Sequence, residues 1–343
     1  MPPEPLLEHR RLLRALSLNY GLDVSPLTYL DAGTAHAYGV EGQSGRYFVK
    51  VLPDNTYGQE MLHRVTAEVP LLKALREQNV LTRVPEVRPT LNGEALVWLD
   101  GFAVLVYGWL EARNVGKDWE ASLPGLLPLL GQLHAGTPRL LSAVPRFPVS
   151  PEEFAFPFGP QLSRDLETLR NAGHSEQAGV QALRDLLLPY QPRLHALLGQ
   201  ASAFQTLARQ QEHQFVVCHT DAHGGNVMRD TSGHLWLIDW ETARLAPPEH
   251  DLWMMARHLP TLLPTYEETL GRRVNLDLKT LSFYLCRRVL EDLAMDIQLI
   301  LRANTRPEQD TANLTVIEKY ILPDLNSLNE RLEQLKFIPG LRI

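Results

Sequence analysis

Residues 215–228 read Phe-Val-Val-Cys-His-Thr-Asp-Ala-His-Gly-Gly-Asn-Val-Met. An apolar run ends there in a polar loop carrying a carboxylate (Asp221), two imidazoles (His219 and His223) and a carboxamide (Asn226). A second apolar run, residues 235–238, ends at Asp239, and the Asp-Thr-Ser-Gly-His between the runs has turn chemistry. A hairpin turning about Ser232 and Gly233 pairs Val227 with Ile238 and sets Asn226 opposite Asp239, where Cβ atoms lie about 4.5–5.5 Å apart. A neutral oxygen ligand then stands beside a carboxylate, with Asp221 one short loop away. Few hard oxygen ligands, with room for water and phosphate, describe a Mg²⁺ site on a nucleotide. Far upstream, residues 47–52 form an apolar run broken only by Lys50. A buried ammonium is costly without an anion, and nucleotide phosphates with a carboxylate, Glu68 of the following helix, would supply one.

These residues must be positioned by elements of two textures. Leucines at helical spacing before Gly21 predict a first helix, with Leu6, Leu7, Leu12, Leu13, Leu16 and Leu18 on its apolar side. Residues 27–106 then read as short strands at 29–30, 37–40, 47–52, 95–98 and 102–106, broken by Gly- and Asn-containing turns. One helix, about 65–78, interrupts them, with Val69, Leu72 and Leu75 on its apolar face. Beyond Tyr107 the pattern is helical, apart from a β stretch within 215–239. A Pro- and Phe-rich connector, residues 144–160, reads as a loop draped over the surface. The expected class is α+β: a small antiparallel-sheet N-terminal lobe (1–106), a hinge or linker (107–115) and a larger, mainly helical C-terminal lobe (116–343).

Composition bounds the partners. The 343 residues are 44% hydrophobic and 21% charged, with a net charge of -7. That is an ordinary globular composition, and its sign argues against nucleic acid, whose binders cluster excess Lys and Arg. Cys218 and Cys286, the two cysteines, are too few for a disulfide framework or a Cys-based zinc site. No apolar run reaches the roughly 18 residues of a membrane helix, so a cytoplasmic protein without a membrane partner is expected.

The run of His219, Asp221, His223 and Asn226, followed by Ile238-Asp239-Trp240-Glu241 and by Asp251-Leu252, resembles the aminoglycoside phosphotransferase and choline kinase family. This is the small-molecule branch of the protein-kinase-like fold. The likeness extends through Lys50, Glu68, Val84-Pro85 and Leu133-His134. Within the family, residues 217–219, 246–252 and 289–292 are similar to spectinomycin phosphotransferases. The resemblance implies a bilobal kinase-like fold and transfer of the γ-phosphoryl group of ATP or GTP to a hydroxyl. Asp221 would be the catalytic base, and Asn226 and Asp239 would hold Mg²⁺. Lys50, held by Glu68, would bind phosphates, and the backbone of Val106, Tyr107, Gly108 and Trp109 would receive the base. Gly33 and Thr34 would lie in the phosphate-covering turn, and His219 and Asp251 would support the catalytic loop. That turn, residues 31–36, has one glycine and no G-x-G-x-x-G, so backbone donors and Thr34 must suffice. Eleven residues separate Asp239 from Asp251, too few for a peptide-docking activation segment, which favours a small acceptor.

The acceptor is expected to be a small cationic molecule, an aminoglycoside or aminocyclitol such as spectinomycin, drawn by Glu241, Asp292 and Asp296. A housekeeping acceptor (choline, a sugar or methylthioribose) and a nucleotide-binding pseudokinase are the alternatives. A monomer or weak dimer is expected. A metallohydrolase built on His219, Asp221, His223, Asp239, His250 and Asp251 is a further rival, but it leaves Lys50 and the strand-rich segment without a role. Each residue also has a structural reading, as a polar turn, a solvated helix face or a snorkelling lysine. The joint spacing favours chemistry.

Overall fold

The computed structural model describes residues 5, 7–30, 36–53, 55–144, 151–171, 177–338 and 340–342. Gly33 and Thr34 lie outside the described residues. Residue packing groups the chain into two compact units. The first comprises 1–150, 216–245 and 268–271; the second comprises 151–215, 246–267 and 272–343. The packing boundary thus falls beyond the expected hinge at 107–115, because the hairpin of residues 227–239 and the helices before residue 150 pack with the strand-rich segment.

In the first unit, α1 (His9–Tyr20) precedes β1 (Val24–Leu30), β2 (His36–Gly42) and β3 (Gly45–Pro53). Then come α2 (Thr56–Glu77), β4 (Val87–Arg88), β5 (Val97–Leu99), β6 (Phe102–Gly108) and β7 (Ala112–Asn114). Helices α3 (Trp119–Ala135) and α4 (Thr137–Ala143) follow. The main sheet is antiparallel in the order β1-β2-β3-β6-β4, with β5 also pairing β6. Period-two alternation gives it two faces. Tyr38, Val40, Val49, Val51, Val104 and Val106 pack with Leu12, Leu16 and Tyr20 of α1, and the Tyr20 hydroxyl donates to the Val104 carbonyl at 2.8 Å. The opposite face carries Lys50, paired in register with Ala37 and Leu105. Helix α1 ends at Gly21, which is left-handed at φ 64°; Leu18, expected on its apolar side, is 64% exposed.

Helix α2 begins nine residues before the expected start. Asn55 caps it by accepting from the Gly58 amide at 2.9 Å. Only glycine fits at 58, since a Cβ there would lie 1.7 Å from the Pro53 carbonyl oxygen. Leu72 and Leu75 are buried as expected, and so is Glu68.

The second unit holds α5 (Gly159–Asn171), α6 (Ala178–Leu187), α7 (Gln191–Arg209) and α8 (Glu249–Leu252). It also holds most of α9 (Leu259–Leu270), then α10 (Leu278–Gln298), α11 (Pro307–Val316) and α12 (Leu322–Leu335). The described part of the Pro/Phe connector is not a draped loop. Phe154 is 4% exposed and packs on His213, Phe283 and Tyr284. Its amide donates to Glu152 Oε1, and the buried Glu152 carboxylate lies 3.2 Å from His250 Nε2. Among the described residues no helix is long and apolar enough to cross a membrane.

Back in the first unit, β8 (Val216–Cys218) leads into the polar loop, and β9 (Val227–Asp230) and β10 (Leu235–Leu237) form the expected hairpin. Its register differs by one residue. Val227 pairs with Leu237, and the Ile238 amide donates to the Asn226 carbonyl at 3.0 Å. The cause is the turn: Asp230 Oδ1 accepts from the amides of Ser232 and His234, and Gly233 is left-handed at φ 85°. That closes a three-residue loop instead of a two-residue one. Asp239 therefore lies one step beyond the ladder, where its own φ of 64° turns the chain. The linker supplies a third strand, since β7 pairs β9.

Candidate active site

The site is assembled from four stretches of the first unit: β3, α2, the loop after β8 and the residues after β10. The loop after β8 is held from several directions. His219, fully buried, accepts from the Asp221 amide on Nδ1 (3.3 Å) and bonds the Ile238 carbonyl through Nε2 at 2.9 Å, so its neutral ring carries the Nε2 proton. Its ring lies 4.6 Å, centroid to centroid, from that of buried Trp240. Thr220, at φ 74°, donates its hydroxyl to the Thr242 carbonyl at 3.0 Å. Gly116 donates its amide to the Gly224 carbonyl at 2.9 Å, Val115 to that of Val227, and the Asn114 carboxamide to that of Gly225. Glycine is needed at 224 for this approach, because a Cβ there would meet the Gly116 carbonyl oxygen at 2.7 Å.

Asp221 is half-buried. The Asn226 amide nitrogen donates to Asp221 Oδ2 and to the Asp221 carbonyl, each at 3.0 Å. The Asn226 side chain is thereby fixed to the Asp221 loop through its amide nitrogen. Asp239 is solvent-exposed. The loss of surrounding water raises its pKa; Lys50 pulls it down and Glu241 pushes it up.

Lys50 Nζ lies 2.9 Å from Glu241 Oε2, and both side chains are 12% exposed. Burial alone would lower the Lys50 pKa, but Glu241, Glu68 and Asp239 outweigh it and hold the ammonium above its ordinary value. Glu68, expected as the lysine's direct partner, acts on it by charge, while the ion pair itself belongs to Glu241. Burial pushes Glu68 up to about 7, against the pull of Lys50 and of the Trp240 amide that donates to it. Glu60, the other upstream carboxylate within reach in sequence, is exposed. Glu241, expected on the acceptor side, pairs with Lys50 of β3 in the structure, two residues beyond the positive-φ turn at Asp239. Glu241, Glu68 and Asp239 thus all act electrostatically on one ammonium.

At the end of β6 the expected base-receiving backbone is partly committed. The Gly108 amide donates to the Glu86 carbonyl at 2.9 Å and the Trp109 amide to the Arg46 carbonyl at 3.2 Å. Val106 and Tyr107 pair with Val49 and Phe48 of β3. The Arg46 guanidinium lies 4.1 Å from the centroid of the Trp109 ring.

The remaining expected residues belong to the second unit. Asp251 is fully buried there. Asp292 accepts from Arg288 Nε at 3.0 Å, one helical turn earlier. Asp296, 8% exposed, accepts from the Asn313 carboxamide, and burial raises its pKa. Both carboxylates expected to attract an acceptor are therefore engaged with neighbouring helices' or their own helix's side chains.

A model of the phosphotransferase enzyme family matches residues 27–284, three quarters of the chain. No curated protein matches significantly. Among solved structures, the chain is similar to a spectinomycin phosphotransferase in complex with ADP and spectinomycin, at 20% identity and TM-score 0.79, covering 96% of this chain and 100% of that one. It is also similar to a microcompartment-associated aminopropanol kinase at 16% identity and TM-score 0.64, covering 98% and 99%. An aminoglycoside phosphotransferase from Alicyclobacillus acidocaldarius is 17% identical at TM-score 0.55, covering 96% and 98%. The fold is protein-kinase-like, with an antiparallel sheet in the N-terminal region and helices in the C-terminal part.

Proposed function

Because the chain belongs to the phosphotransferase enzyme family, we propose that it moves the γ-phosphoryl group of ATP or GTP to a hydroxyl of a small cationic molecule, of the aminocyclitol or aminoglycoside kind. The observation that carries this reading is that the Lys50–Glu241 and Asp221–Asn226 pairs, from distant stretches of chain, lie in one packing unit, with Lys50, Glu241 and Asp221 all acting electrostatically on Asp239. Residues 1–106 would bind the nucleotide, 107–115 would form the hinge, and 116–343 would supply catalysis and acceptor binding.

In this reading Lys50 meets the phosphates from the sheet face opposite α1, and Glu241 and Glu68 keep it charged. Asp221 takes the proton of the acceptor hydroxyl as that oxygen bonds to phosphorus and the diphosphate departs. Asn226 keeps the Asp221 carboxylate in place. The Asn226 carbonyl oxygen and the Asp239 carboxylate fit Mg²⁺ as hard oxygen donors. When bound, the ion would neutralise phosphate charge. Catalysis then rests on positioning and on fixed charges already in place.

An acceptor of the spectinomycin kind is supported by the likeness to the spectinomycin-bound phosphotransferase over nearly the whole of both chains. The likeness to the aminopropanol kinase supports a second reading, a small amino alcohol. Nucleoside diphosphate release, measured with Mg²⁺ over a panel containing spectinomycin, choline and aminopropanol, tests both. Acceptor-dependent release is expected with one of these classes; nucleotide binding without release on any acceptor would leave a nucleotide-binding pseudokinase.

A further inference from the structure

His223 stands beside the reacting carboxylate without a part in the phosphate-holding or cation-holding set. Its Nε2 lies 3.4 Å from Asp221 Oδ2. On the other side of the ring, Nδ1 accepts the Gly225 amide at 2.8 Å. A ring nitrogen that accepts a backbone N–H carries no proton, so the neutral imidazole holds its hydrogen on Nε2, the atom facing Asp221. The fold-back depends on residue 225 being glycine: a Cβ there would lie 2.6 Å from His223 Cε1 and 3.0 Å from Nδ1. The same carboxylate oxygen receives the Asn226 amide at 3.0 Å. Two donor groups, from positions two and five residues further along the same loop, therefore face Oδ2. The His223 contact is longer than a formed hydrogen bond, the length common for catalytic contacts before substrate tightens them.

We propose that His223 is a positioning residue for the Asp221 carboxylate. It holds Oδ2 through its Nε2–H, with its tautomer set by the Gly225 amide, while Asp221 takes the acceptor's proton. This rests on the phosphotransferase reading above. His223 keeps its own proton throughout. The proton moves from acceptor oxygen to Asp221, the acceptor oxygen bonds to phosphorus, and the electron pair of the broken P–O bond leaves on the diphosphate.

Three substitutions separate this role from a structural one. His223→Gln keeps a donor near the place of Nε2. His223→Asn keeps an acceptor for the Gly225 amide near the place of Nδ1 but loses the donor. His223→Phe loses both. With kcat and KM measured for each, and thermal midpoints alongside, Gln should stay within about threefold of wild type. Asn and Phe should lose roughly tenfold to a hundredfold in kcat with the nucleotide KM unchanged, the worth of one hydrogen bond to a charged group. Wild-type kcat in the Phe variant would overturn the proposal, as would rescue by Asn but not by Gln, or equal loss in all three together with lowered thermal midpoints. The ring ¹⁵N shifts of His223 in the wild-type protein give a readout independent of variant folding: an Nε2–H tautomer is expected, and an Nδ1–H tautomer would overturn the proposal. A wild-type protein without turnover on any acceptor would remove the phosphotransferase reading and this role together, whereas the variant outcomes bear on His223 alone.

Discussion

Asp221 has the most demanding chemistry in the proposed reaction, and its surroundings are built from hydrogen bonds within one short loop. Its amide is bonded to His219, its carbonyl and Oδ2 to Asn226. Under the proposed mechanism, removing the carboxylate would remove the base while leaving Lys50 and Glu241 in place. Asp221→Ala is therefore expected to lower kcat by roughly 10²–10⁴, with nucleotide affinity by calorimetry nearly unchanged; a variant that turns over like wild type would take the proton elsewhere. Around Lys50 the charges do not balance pairwise. Glu241, Glu68 and Asp239 all act on one ammonium, and in the proposed mechanism a bound Mg²⁺ would add positive charge beside them. Asp239→Ala should accordingly abolish Mg²⁺-dependent nucleotide binding in a thermal-shift titration, and unchanged Mg²⁺ dependence would place the ion on other ligands. The residue types at these positions are legible in sequence, since a carboxylate, an amide and a second carboxylate at this spacing have few other uses. The Lys50–Glu241 pair is not: it joins positions 191 apart, and no local pattern distinguishes Glu241 from Glu68 as the partner.

At the scale of elements, the loop carrying Asp221 is gripped by β7 and the residues after it. Residues 114–116 bond to the carbonyls of Gly224, Gly225 and Val227, and β7 continues the β9–β10 sheet. A methyl group at 224 would press on the Gly116 carbonyl. Gly224→Ala is therefore expected to lower both kcat and the thermal midpoint, and a variant matching wild type in both would mean that the linker yields at no cost. In the second unit, Glu249 of α8 accepts the Asp277 amide at 2.7 Å at the start of α10. Burial pushes its pKa from 4.5 up to about 7, with the Asp277 amide opposing. Between those values the folded protein holds a proton on Glu249 that the unfolded chain releases, so this group's contribution to stability is fullest below about pH 4.5 and is lost as pH rises through 7. Relative to wild type, Glu249→Gln should flatten the fall in thermal midpoint from pH 4.5 to 7; parallel curves would show that Glu249 is ionised throughout. Strands β1, β2, β3 and β6 are legible as short apolar runs set between Gly- and Asn-containing turns. Strands β4 and β7 span two and three residues, too short for a period to register. The hairpin register was displaced because a Ser-Gly pair suggests a two-residue turn, while the Asp230 side chain closes a three-residue one.

For the whole molecule, the α+β class follows from a change of texture near Tyr107, but the packing boundary does not. A strand pair near residue 230 and helices α3 and α4 fall in the same packing unit as the N-terminal sheet, a long-range association invisible to local composition. The consequence is functional: every residue proposed to touch phosphate or take the proton lies within one packing unit, so the reactive geometry is maintained by that unit's own core. The acceptor is less legible, because Asp292 and Asp296, the acids expected to draw it, are engaged with Arg288 and Asn313. The most direct measurement follows γ-labelled ATP or GTP with Mg²⁺ and the acceptor that elicits diphosphate release. Label recovered covalently on the acceptor with the wild-type protein, and lost with Asp221→Ala, is the predicted result. Label released only as inorganic phosphate, or undiminished transfer by the variant, would contradict it.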